Sequence, residues 1–167
     1  MKLLKKMCEI HAPSGEELAM SKFLLKHIEK NKKNWKVKPK VFSGEEFQDN
    51  IILVFGENPK TAIFAHQDSI GFTVKYNNEL VKIGGPVIKN GINLVGKDSK
   101  GKIEGKLIVK ENNGGKIIFI DFHRTIDRGT SLTFKVNFRE DKEFIQSAYL
   151  DNRLGVWNAL EVAKTLN

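Results

Sequence analysis

Between residue 72 and about residue 145 the chain shows no helical periodicity, and no other feature limits its fold as strongly. Short alternating runs follow one another there. "GFTVKYNNELVKIGG" reads as two strands joined at Asn77-Asn78, and "KIEGKLIV", "KIIFIDF" and "SLTFKVNF" continue the series. Glycines separate these runs, at Gly84, Gly85, Gly91, Gly96, Gly101, Gly114, Gly115 and Gly129. The pattern predicts a small all-β unit, barrel-like or sandwich-like.

The flanks read differently. Residues 2–10 predict a short helix with Leu3, Leu4, Met7 and Ile10 apolar, broken by "HAPSGEE". Ser14 then fits a helix N-cap, with Glu17 three residues on completing a capping box. The helix that follows runs to about residue 31 on an apolar stripe of Leu18, Leu24, Leu25 and Ile28. "WKVKPKVF" alternates, and Pro39 restricts it to an edge strand. "IILVF" and "TAIFA" are continuous apolar runs, which predict strands covered on both faces. "GENPK" between them reads as a tight connection. The last segment, "YLDNRLGVWNALEVAKTLN", turns helical from about Leu154 and is apolar on so much of its surface that it calls for burial.

The order is therefore α/β, then all-β, then α/β again. A β unit inserted into an α/β layered domain accounts for it, with the first α/β part at 1–72, the insert at 73–145 and the resumed domain at 146–167.

Composition narrows the functional classes. At 167 residues with 40% hydrophobic and 29% charged side chains, the chain has the makings of one ordinary core. It holds no run of about 18 apolar residues, so no membrane span is expected. Lys5 and Lys6 interrupt the first apolar stretch before a signal sequence could form, and the lone Cys8 has no internal disulfide partner. A cytoplasmic location fits these features. The net charge of +8 invites a nucleic-acid reading. However, the basic excess is almost all lysine, densest in "KHIEKNKKNWKVKPK", and only Arg124, Arg128, Arg139 and Arg153 are arginines. Nucleic-acid readers favour arginine forks interleaved with aromatics, so no nucleic-acid partner is expected.

Two stretches can carry chemistry. In "TAIFAHQDSIGF" an apolar strand ends on His66 and Asp68, and ligands of open α/β sheets bind beyond the carboxyl ends of strands. Positions 66 and 68 share one face. An imidazole there can bind a metal through one nitrogen while a carboxylate accepts the proton of the other. A strand-end histidine can equally be a hydrogen-bonded structural residue. In "YLDNRLG", Asp151 precedes the last helix. It reads either as an N-cap with Arg153 as its ion-pair partner, or as a metal ligand held in place by Asn152 and Arg153. Spacing does not choose between the two.

"HQDSIGF" and "YLDNRLGVWNALEVA", with a β-rich insert between them and "APSGEE" near the start, resemble the glutamyl aminopeptidase and tetrahedral aminopeptidase family of co-catalytic metallopeptidases, some of which are labelled endoglucanases. The resemblance covers essentially the whole chain. It implies a mixed-sheet zinc-peptidase-like domain whose β insert is a barrel-like dimerisation domain, and a homo-oligomer built through that insert. It implies two divalent metal ions, zinc with cobalt or manganese as alternatives. His66 would ligate one ion, Asp68 would back His66 as a catalytic residue, and Asp151 would bridge the pair. The implied activity is removal of N-terminal residues from peptides by a water activated between two metals.

The sequence departs from the family pattern in places. Ser69 stands where the family has an acidic residue, and "DFHRTIDRGT" is unusual for it; His123 and Asp127 within that stretch read as surface or turn residues. In the family a Glu-Glu pair, a further carboxylate and a last histidine follow the final helix, whereas this sequence ends at Asn167. His66 and Asp151 supply two ligands where a catalytic zinc takes about three from protein. The sequence thus reads as the front part of such an enzyme, truncated and inactive by itself. Two other readings compete: a related zinc-dependent carboxypeptidase or aminoacylase, against which Gly71 and "LDNR" argue, and a non-catalytic assembly or binding module.

Overall fold

The computed structural model describes residues 1–112 and 115–166; Asn113, Gly114 and Asn167 lie outside the described residues. The chain forms two compact units, Met1–Asp68 with Tyr149–Asn167, and Ser69–Ala148. Together they make a mixed α/β fold interrupted by an all-β unit.

In the first unit, α1 (Lys2–Glu9) buries Leu4, Met7 and Cys8, the i, i+3, i+4 face of an amphipathic helix. Helix α2 (Leu18–Asn31) buries Met20, Leu24 and Ile28 at four-residue spacing, with Ser21 alongside. Helix α3 (Leu150–Thr165) buries Arg153, Leu160 and Ala163 and packs against α1. Arg153 is the link between them. Its side chain is fully buried, and Nη1 donates to the Met7 carbonyl at the C-terminal end of α1, 2.5 Å away. The Met7 carbonyl also accepts from the Ile10 amide at 3.2 Å, and a guanidinium suits the negative end of the helix.

Two expectations fail in this unit. The capping box does not form: the N-cap of α2 is Glu17, whose Oε1 accepts from the Gly15 amide at 2.7 Å, and no side chain caps the helix. Nor are the apolar runs covered on both faces. Strands β1 (Lys40–Phe42) and β2 (Ile52–Val54) pair antiparallel, Val41 opposite Leu53, in a sheet of two strands. Residues 61–68 join no ladder among the described residues, and Ile63 and Phe64 are 63% and 86% exposed. Apolar composition makes a strand suited to burial, but another layer of the fold has to cover its faces, and among the described residues none covers Ile63 or Phe64. Pro39 lies just ahead of β1, as an edge position allows.

The second unit is a closed antiparallel barrel in the order β3-β4-β7-β6-β5-β8. Its strands are β3 (Gly71–Val74), β4 (Glu79–Ile83), β5 (Asn93–Asp98), β6 (Gly101–Asn112), β7 (Gly115–Asp121) and β8 (Ser131–Phe134). Asn77 and Asn78, both at positive φ, turn β3 into β4, as the sequence predicts. Strand β5 escapes the sequence reading because Gly96 and Asp98 interrupt its apolar pattern with residues that strands usually avoid. Alternate positions point inward: Phe72 and Val74, Ile103 and Leu107, Ile118 and Ile120 fill the core. Each such side chain stabilises the fold by about 1.5–3 kcal/mol relative to exposure. Closure leaves the barrel no unpaired edge. A short hairpin, β9 (Arg139–Glu140) with β10 (Ile145–Gln146), follows.

The unusual "DFHRTIDRGT" stretch serves this barrel. Arg124 forks onto Asp98, Asp98 also accepts from the Lys100 amide, and Asp127 accepts from the Ser99 amide at 3.2 Å. Asn78 clamps the loop by donating to the Arg124 carbonyl and accepting from the Ile126 amide, both at 2.9 Å. His123 lies against the Phe122 ring. Among the described residues no helix is long and apolar enough to cross a membrane.

Candidate functional site

The run from residue 61 ends in three alternating side chains. Gln67 donates to Ser21 Oγ on α2 at 2.8 Å, which fixes the segment from one side. His66 and Asp68 turn toward each other, with His66 Nδ1 2.9 Å from Asp68 Oδ1. The other ring nitrogen, Nε2, stands 3.1 Å from Asp151 Oδ1, across 85 positions of chain.

Asp68 has a second partner that the sequence reading missed. Ser14 Oγ donates to Asp68 Oδ2 at 2.5 Å. The Glu16 amide closes a turn onto the Pro13 carbonyl at 2.8 Å, and Gly15 sits in it at φ +93°, a conformation suited to glycine. That turn presents the Ser14 hydroxyl to the carboxylate instead of to the start of α2. Burial pushes the Asp68 carboxyl up, but the Ser14 hydrogen bond and the His66 ring outweigh it, so Asp68 titrates below its ordinary value.

Asp151 lies at the irregular start of α3. Tyr149 is the N-cap and Asp151 makes no capping bond, while the Asp151–Asn152 peptide is cis. Asn152 folds over Gly155, where an added Cβ would lie 1.9 Å from Asn152 Oδ1. Arg153 does not pair with Asp151. It points into the core, reaching the Met7 carbonyl and the Met20 sulfur, and its Nε and Nη2 have no hydrogen-bond partner among the described residues. Asp151 therefore forms neither the N-cap nor the Arg153 ion pair, and Arg153 does not hold it in place as the metal-ligand reading also supposes.

Both imidazole nitrogens of His66 face carboxylate oxygens. A neutral ring has one N–H for two carboxylates, and the shorter, less exposed contact, Nδ1 to Asp68, is the one that suits it. The Nε2 lone pair then faces Asp151 Oδ1 directly. A proton on the ring or a cation between the two atoms removes that repulsion. Two donors on one tetrahedral ion at about 2.0–2.1 Å stand roughly 3.3 Å apart, close to the separation here. The pair thus fits a divalent cation in donor type and spacing. It falls short in number: among the described residues no group of three or more His, Cys, Asp or Glu side chains could hold a metal. His11 lies 3.9 Å from Glu16, and His27 bonds to Asn31 on its own helix. Beside His66 and Asp68 an apolar groove of about 860 Å³ opens between α2, β2 and α3, lined by Leu24, Leu53, Phe64 and Leu160.

No family model matches the sequence. Among solved structures, PhTET1-12s, a dodecamer in the asymmetric unit, superposes with a TM-score of 0.74 at 21% sequence identity. The match covers 99% of this chain and 55% of that one, so this chain spans about half the length of its structural neighbour. The likeness is one of fold.

Proposed function

We propose that this chain carries the first part of a metal-dependent aminopeptidase of the tetrahedral or glutamyl aminopeptidase type. His66 and Asp151 are its metal ligands, and Asp68 holds His66. The observation that carries this reading is the pair of contacts at His66, with Asp68 on one nitrogen and Asp151 on the other. The fold shared with PhTET1-12s supports a peptidase-related or assembly role. A pair of divalent ions, zinc first, supplies Lewis-acid activation of a peptide carbonyl when bound. The chain's own residues orient the imidazole and hold a carboxylate beside its outer nitrogen. Peptides are the substrates, and copies assemble through the barrel; the dodecameric state of the neighbour supports assembly as such.

Calorimetric titration with zinc tests the reading. Weak binding that disappears in His66→Ala and falls in Asp151→Asn supports it. Wild-type binding that is unaffected by either substitution refutes it. The two-donor count also favours a second reading, a non-catalytic assembly module, in which zinc leaves His66 untouched and the isolated chain still self-associates.

A further inference from the structure

We infer that Ser14 is a positioning residue for the His66 imidazole, acting through Asp68; the inference deepens the proposed metal site and rests on that reading. The hydrogen bonds run in series. Ser14 Oγ donates to Asp68 Oδ2, and the remaining oxygen, Oδ1, faces His66 Nδ1. A carboxylate on a short side chain can rotate about its last bond. Without Ser14 the carboxylate would keep the His66 ring and its own backbone amide as partners, but Oδ2 would lose its side-chain donor and Asp68 would swing more freely. The Ser14 hydroxyl, 54 positions away in sequence, occupies one oxygen and fixes the plane of the other. Fixing Oδ1 keeps the ring proton on Nδ1 and leaves Nε2 directed at Asp151. The Pro13–Glu16 turn, with Gly15 at positive φ, supplies the rigid base from which Ser14 does this. Ser14 is itself exposed and caps no helix, so the bond to Asp68 is what its placement achieves.

Ring-nitrogen NMR of the full chain, labelled with ¹⁵N and held in mildly alkaline buffer, tests this. In the wild type His66 should be the tautomer protonated at Nδ1. In Ser14→Ala the two ring-nitrogen signals should move toward the average of the two tautomers. The affinity of His66 for zinc alone, followed by the same signals, should fall roughly tenfold. Ser14→Thr, which keeps the hydroxyl, should restore both. The inference is overturned if Ser14→Ala leaves the tautomer and the zinc affinity as in the wild type. It is also overturned if Ser14→Thr restores neither, or if the Ser14→Ala changes spread through the amides of α2, which marks a folding role. Should zinc leave wild-type His66 unchanged while the tautomer still follows residue 14, the metal reading fails and the positioning role stands.

Discussion

His66 and Asp151 meet at 3.1 Å, Nε2 to Oδ1, with the whole barrel inserted in the chain between them. The contact sets a lone pair against a carboxylate whenever the ring is neutral with its proton on Nδ1. Asp151→Asn converts it into an ordinary hydrogen bond, with the amide donating to Nε2. The metal-free protein should therefore gain slightly, by about 0.2–1 kcal/mol for a contact this exposed. Zinc binding should weaken by about tenfold or more. Opposite signs in thermal melts without metal and in zinc titrations are the expected signature; parallel losses would mean that the pair is merely structural.

Gly155 is needed by its neighbour. A Cβ there meets Asn152 Oδ1 at 1.9 Å, and Asn152 adjoins Asp151. Gly155→Ala should cost about 1–3 kcal/mol by overpacking, despite alanine's better helix propensity. Urea unfolding measures it, and a stabilised variant would contradict the packing at the start of α3.

Arg153 separates packing from charge. Its guanidinium is fully buried, with one nitrogen on the Met7 carbonyl and two without partners, and burial pulls its pKa down. Arg153→Ala leaves a cavity and should cost about 2–5 kcal/mol. Arg153→Met keeps much of the volume and removes the unpartnered donors, so it should cost less than about 1.5 kcal/mol. Equal losses in chemical denaturation would show that the Met7 bond, and not the volume, holds α1 to α3.

Acid should loosen the barrel through Asp98. The Arg124 fork, despite the opposing effect of burial, holds the Asp98 carboxyl far below the usual carboxylate range, and the Asp127 and Lys100 amides add to it. A carboxyl lowered in the folded state stabilises above its unfolded value, and that contribution is lost as pH falls through the folded one. Stability should thus be level above about pH 5 and decline below about pH 4. Asp98→Asn should be less stable at neutral pH and show a flatter acid limb in pH-dependent melts. An unchanged acid limb would remove Asp98 from the account.

Phe64 tests the exposed apolar run. At 86% exposure, Phe64→Ala should change stability by no more than about 0.5 kcal/mol. A loss of about 3–5 kcal/mol, as for a core phenylalanine, would mean that the run is covered in solution.

Much of this was legible in the residues. The alternation of β3, β4, β6, β7 and β8, the Asn77-Asn78 turn and the helical spacing of α1 and α2 follow from local sterics and side-chain period, which a sequence displays directly. Strand β5 was not legible, because Gly96 and Asp98 hide its period and only pairing with β6 and β8 makes it a strand. Ser14 was misread for a related reason: a serine ahead of a helix has a local use as a cap, and nothing nearby in sequence announces that its partner is Asp68.

The sequence by itself determined the periodic elements, the insertion order and the candidacy of His66, Asp68 and Asp151, since residue type and spacing are local properties. Tertiary structure alone decided that Ser14 bonds Asp68, that Arg153 turns inward to α1 and that residues 61–64 lie uncovered. Hydrogen bonds and burial depend on which distant atoms arrive within about 3–4 Å, and chain closure, not composition, sets those meetings.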